Sequence, residues 1–148
     1  MTKAELQKAR HNLKSETDVQ KAIRQYLLST RRPYSITDAT LSLNVRGQRV
    51  QRVRLGWPDI TTVTKDGRLF VIEVKKPVGG VLSRDQALML RRIHEWGGLI
   101  CIARSVTDVQ ETEASGTAQA DDLAEIARAI AKPVKSGLEG KPVNELGF

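Results

Sequence analysis

Three residues of this chain have the types and spacing that hydrolytic metal chemistry requires. Glu73 interrupts the apolar run Phe70-Val71-Ile72, and Lys75 follows two residues later. Side chains alternate faces along a strand, so Glu73 and Lys75 project together while Ile72 and Val74 go to the other side. Asp59 opens the preceding β-type run, directly after Pro58. Counting outward from a turn centred near residues 65–67 sets Val63 opposite Leu69 and Asp59 opposite Glu73. Two carboxylates so placed can share one divalent cation. Hard oxygen ligands suit Mg²⁺ or Mn²⁺. Phosphodiester hydrolysis uses such an ion to neutralise the scissile phosphate and to lower the pKa of a bound water. A neighbouring ammonium can orient that water or stabilise developing charge. Glu-x-Lys alone is a common surface ion pair, and Pro-Asp alone is a common turn. The weight lies in the combination.

The elements that must position these residues are legible in outline. Ser15-Glu16-Thr17-Asp18 resembles a capping box, and Val19, Ile23 and Leu27 follow at helical spacing until Arg31-Arg32-Pro33 stops the helix. From residue 34 to 76 the period becomes that of strands. Leu41, Leu43 and Val45 alternate, Arg46-Gly47-Gln48 reads as a turn, and Val50, Val53 and Leu55 lead into Gly56-Trp57-Pro58. Residues 59–63 and 69–75 form two further runs joined at Lys65-Asp66-Gly67-Arg68. Ser83-Arg84-Asp85-Gln86 is a second capping box, followed by Ala87, Leu90, Ile93 and Trp96, and Gly97-Gly98 ends that helix. Residues 99–103 read as a buried strand. The expected order is a helix, a three-strand meander, a helix and a strand, which makes an α/β core with a mixed central sheet flanked by helices. Beyond residue 105 the signals weaken. Residues 106–116 are polar, 120–131 read as a small alanine-rich helix, and 132–148 read as a tail or arm.

The whole chain is 148 residues, enough for one domain with a real core. Residues 1–104 carry 20 Lys and Arg against 9 Asp and Glu, and residues 105–148 carry 4 against 8, so the net charge of +7 divides into +11 and −4. A basic front is the footprint of a polyanion-binding surface. Arg46, Arg49, Arg52 and Arg54 form a run without an acid among them, and Lys76, Arg84, Arg91 and Arg92 extend it. Such contacts would hold phosphates without reading sequence. Cys101 is the one cysteine and sits in an apolar run, so it reads as core filler and no internal disulfide forms. His11 and His94 have no partners at metal-ligand spacing. No apolar run spans a bilayer and no secretory signal is visible, so a cytoplasmic protein without membrane contact is expected.

Gly56-Trp57-Pro58-Asp59, Val71-Ile72-Glu73-Val74-Lys75-Lys76, Leu82-Ser83-Arg84-Asp85-Gln86 and Trp96-Gly97-Gly98 before an apolar strand together resemble the virus-type replication-repair nuclease (VRR-NUC) family of the PD-(D/E)xK superfamily. The resemblance covers residues 15–106. It leaves 1–14 as a basic N-terminal extension and 107–148 as a C-terminal extension to which it gives no role. It implies a metal-dependent DNA endonuclease, often structure-selective, in a bacterial cell or a phage-infected host. Small stand-alone members are homodimers that act on branched DNA such as Holliday junctions. By resemblance the catalytic residues are Asp59, Glu73, Lys75 and Gln86. Asp59, Glu73, the Val74 carbonyl and Glu16 would hold Mg²⁺ or Mn²⁺, and no small organic cofactor is implied. Glu16 has a plainer reading as a first-turn acid on the helix dipole, and Gln86 as the closing residue of its own capping box. The competing function is a DNA-binding module on the same fold that no longer cuts. A small regulatory or structural protein with a Glu73–Lys75 surface pair is a third.

Overall fold

A computed structural model describes residues 2–3, 15–37, 42–45, 48–51 and 55–133, with backbone alone for 42–45 and 48–51. The elements are α1 (Glu16–Ser29), β1 (Tyr34–Ile36), β2 (Ser42–Val45), β3 (Gln48–Gln51), β4 (Ile60–Val63), β5 (Leu69–Val74), α2 (Arg84–Glu95), β6 (Leu99–Ala103), α3 (Val106–Ser115) and α4 (Ala120–Ala131).

One four-stranded sheet organises the molecule, in the order β1-β4-β5-β6. β1 and β5 flank β4 antiparallel, and β6 lies parallel to β5. The parallel step is made through α2, as a parallel connection requires a crossover. The three-residue β1 was not anticipated as a strand of its own. It occupies the edge of the sheet beside β4. Among the described residues β2 and β3 pair with each other, as a separate two-stranded sheet. The central meander is therefore β1-β4-β5, with the β2–β3 hairpin inserted between its first two strands.

Alternation along the strands divides the core in two. Phe70, Ile72 and Val74 of β5 join Ile60, Leu99, Cys101 and Ala103 on the face covered by Val19, Ile23 and Leu27 of α1 and Val109 of α3. Val71, Ile100 and Ile102 point to the other face, against Leu82, Ala87, Met89, Leu90 and Ile93 around α2 and Ile126 and Ala129 of α4. The result is a mixed sheet with helices on both faces. β5 and β6 are covered on both sides, which is why they read as continuous apolar runs. Burying side chains such as Leu27, Phe70 and Leu90 contributes about 1.5–3 kcal/mol each.

The apolar core continues past residue 106, since Val109, Ala118, Ile126 and Ala129 all lie within it. The segment 106–116, polar in sequence, is a helix. Ser105 caps its start by accepting from the Asp108 N–H, and only Val109 and Thr112 of it are buried. Helix α4 forms where the alanine-rich run predicts it. No helix among the described residues is long and apolar enough to cross a membrane. Residues 134–148 of the tail assigned to 132–148, and most of the extension assigned to 1–14, lie outside the described residues.

Candidate active site

Residue-by-residue pairing sets the site. The Val63–Leu69 pair inferred from the turn is observed, and the register runs through Thr62–Phe70 and Thr61–Val71 to Ile60–Ile72. One further step sets Asp59 across from Glu73. The turn at 64–68 closes with Thr64 N–H donating to the Arg68 carbonyl, and Gly67 takes the positive φ of 82° that a side chain resists. Because Ile60 points toward α1, Asp59 points toward α2, as do Glu73 and Lys75. The segment before Asp59 is fixed from two sides. Thr37 donates its hydroxyl to the Pro58 carbonyl at 2.6 Å and its N–H to the Asp59 carbonyl at 2.8 Å. Gly56 runs so close beneath α2 that a Cβ there would stand 2.4 Å from the Asp85 carbonyl oxygen. The first turn of α2 is thereby held over Asp59.

At the centre is the Glu73 carboxylate, 1% exposed, with no hydrogen-bond partner on either oxygen. The Lys75 ammonium stands 3.5 Å from its Oε1, close enough for charge attraction without hydrogen-bond geometry. Burial pushes the Glu73 carboxyl up from 4.5 to about 9, and the neighbouring Asp59 charge raises it further while Lys75 opposes. Asp59 is anchored by Oδ2, which accepts the Val74 N–H at 2.8 Å. That bond crosses from β4 to β5 and keeps the two acids side by side.

Gln86 unites its two sequence readings. The capping box is complete, with the Gln86 N–H donating to Ser83 Oγ at 3.2 Å and the Ser83 N–H donating to Gln86 Oε1 at 3.0 Å. The same Oε1 also accepts from Lys75 Nζ at 3.1 Å. A cap residue therefore holds the buried lysine, which is 7% exposed, and fixes its ammonium relative to Glu73. The loop after Lys75 is braced by Arg104, which donates to the Gly80 carbonyl at 2.7 Å while paired with Glu125.

Asp59, Glu73, Lys75 and Gln86 thus meet in one place. Val74 contributes its N–H to Asp59, and its side chain lies in the opposite cluster with α1. Glu16 is exposed in the first turn of α1, where an acid interacts well with the helix dipole. Lys76 is exposed and Arg84 half-buried, both on segments adjoining the site. Arg49 lies on β3, where backbone alone is described, and Arg46, Arg52 and Arg54 lie outside the described residues. His94 is exposed on α2, and Cys101 is buried in the core with its thiol pushed well up by burial. Sequence reading had no signal for Thr37 or Arg104, because each acts through backbone carbonyls distant in sequence.

Known proteins add nothing to this geometry. No family model, curated protein or solved structure matches the chain.

The donor set itself fits a hard dication. An unpartnered carboxylate in a dry site is costly, and a second carboxylate beside it compounds the cost. A dication offsets both penalties and bonds directly to oxygens that Lys75 approaches only by charge. Carboxylate oxygens without nearby thiol or imidazole favour Mg²⁺ or Mn²⁺ over softer metals.

Proposed function

We propose that this protein is a metal-dependent DNA endonuclease of the VRR-NUC type within the PD-(D/E)xK superfamily. The observation that carries the reading is the buried, unpartnered Glu73 carboxylate set beside Asp59 and Lys75. A surface ion pair needs neither that burial nor that orphaned oxygen pair.

Asp59 and Glu73 would hold Mg²⁺ or Mn²⁺, with the Val74 carbonyl as a further ligand by resemblance. Such an ion supplies charge neutralisation at the phosphate and a water of lowered pKa. The chain's own residues do the rest. Lys75 offers an ammonium whose position Gln86 and Glu73 fix before substrate arrives, so little reorganisation is needed when negative charge develops on the phosphate. Gln86 keeps that ammonium turned toward the acids. The Asp59 bond to the Val74 N–H leaves its other oxygen for a ligand. Lys76 and Arg84 provide phosphate contacts beside the site, and the run from Arg46 to Arg54 would extend them. Branched DNA such as a Holliday junction is the substrate the resemblance favours, and a homodimer would bring two such sites to one junction.

Cleavage of a labelled panel (duplex, single strand, flap and four-way junction) with Mg²⁺, Mn²⁺ or EDTA tests the reading. Metal-dependent cutting by wild type, absent in both Glu73→Ala and Lys75→Ala, is expected. Tight DNA binding by pure wild type without cutting on any substrate with either metal would instead establish a binding module.

A further inference from the structure

At the opposite end of α2 from Gln86, a groove of about 510 Å³ opens beneath Trp57 and Trp96. Met89 and Leu69 contribute to its lining, and Arg68 and Arg92 flank it. Trp96 is 86% exposed, an unusual position for an indole without a partner surface. Trp57 is half-buried, and its ring is oriented by a 2.9 Å bond from Nε1 to Thr61 Oγ1. Arg68 is pinned by donations to the Gly97 and Gly116 carbonyls at 2.6 and 2.7 Å. Among the described residues no acid lines the groove.

We propose that this groove stacks an unpaired base of the DNA strand whose backbone runs toward Asp59 and Glu73. The inference rests on the nuclease reading for its choice of DNA and deepens it by naming the feature of the substrate that is read. Three observations favour this occupant. Two indoles supply flat apolar faces, and stacking on them is open to any base. The two guanidinium groups at its edge supply positive charge for the adjoining phosphates, Arg68 sharing its own with Asp66. The groove also lies on the same face of the sheet as the site, since Leu69 and Glu73 alternate to one side of β5. Trp57 is two residues from Asp59, and Leu69 is four residues from Glu73 along β5, about 13 Å of strand. A strand with one base in the groove would carry a phosphate a short distance away past the two acids. A second copy of this chain is disfavoured, because an isologous contact centred here would crowd the Arg68 and Arg92 of both copies into one interface.

Bases lie unpaired at flaps, tails and junction arms, and not within a blunt duplex. The groove would therefore give the protein its preference for discontinuous DNA. The test uses the full chain in EDTA, so that binding is measured without cutting. The probes are a blunt duplex and the same duplex with a single-stranded dT tail at either end. Trp57 and Trp96 are the two tryptophans of the chain, so their fluorescence reports stacking directly. Tailed DNA is expected to quench that fluorescence more than blunt DNA. Trp96→Ala is expected to weaken tailed binding about tenfold, at least about five times the loss on blunt duplex, and Trp96→Phe to recover most of it. Equal losses on both probes, or no extra quenching by the tail, would overturn the proposal. So would a wild-type dimer, seen by sedimentation, whose loss in Trp96→Ala accounts for the whole change in affinity. The two readings fail separately. Wild type that stacks tails but never cuts sinks the nuclease and leaves the groove. A Trp96→Ala protein that cuts and binds every substrate as wild type does sinks the groove alone.

Discussion

Glu73 determines how the protein should respond to pH. Its folded-state carboxyl keeps a proton up to about pH 9, whereas its ordinary value is 4.5. A raised folded pKa contributes stability that is complete below pH 4.5 and lost as pH climbs toward 9. Asp122 has the same sign, since burial beneath β6 lifts it from 3.8 to about 6 despite its bond from the Ile102 N–H. Metal-free protein should therefore lose thermal stability between pH 5 and 9. Glu73→Gln should flatten the upper part of that profile and raise stability at pH 8 by about 2–4 kcal/mol, measured by calorimetry in EDTA. A variant that melts like wild type across this range would mean the carboxylate is not held out of water. The same group links metal to protons. Binding an ion at neutral pH must displace the Glu73 proton, so Mn²⁺ affinity should rise up to about tenfold per pH unit between 6 and 8. Titration calorimetry in buffers of different ionisation enthalpy should count about one proton released per ion in wild type and none in Glu73→Gln.

The elements decide whether those side chains meet. Gly56 matters because the loop passes directly beneath α2, at a φ of 83° and within contact of the Asp85 carbonyl. Gly56→Val should cost about 2–4 kcal/mol through strain and overlap together, and should depress cleavage more than a core truncation of equal cost because it lifts α2 away from Asp59. Chemical denaturation beside single-turnover cleavage separates the two effects. Ser83→Ala removes the hydroxyl half of a complete capping box and should cost about 1 kcal/mol. It should also reduce turnover, since the Gln86 that Ser83 positions is the one that holds Lys75. These elements differ in how far sequence exposes them. The β4–β5 register was readable because one tight turn sets all four pairs and places Asp59 by counting. The capping box of α2, the Ser15 cap of α1 and the apolar stripes of both were readable because their signals are local. β1 was not, for three residues carry no period, and its place beside β4 depends on pairing across more than twenty residues of chain. Helix α3 was not, because only Val109 and Thr112 of its ten residues are buried, too few to draw a stripe.

At the scale of the molecule, the charge division between front and back is a structural device as well as an electrostatic one. The acidic segment after residue 105 folds back on the basic part and neutralises two of its arginines. Glu113 of α3 takes both ends of the Arg32 guanidinium, just after α1, and also accepts from Tyr26 at 3.0 Å. Glu125 of α4 takes Arg104, which in turn holds the Gly80 carbonyl behind Lys75. Arg32 and Glu113 have side chains only 8% and 16% exposed, so either left alone would be a nearly dry charge. Glu113→Gln should therefore destabilise the fold by about 1–3 kcal/mol, far beyond a surface pair's worth of about 0–1 kcal/mol. Glu125→Gln should cost less in stability, as that pair is more open, yet more in the proposed activity, because Arg104 braces the loop that follows the strand carrying Glu73. Equilibrium unfolding and cleavage rates of the two variants side by side give the comparison. Equal small losses in both would mean that the acidic helices only shield the sheet. The crossed pattern would mean that the C-terminal helices help to hold the active site, and that residues 106–131 cannot be removed as an appendage.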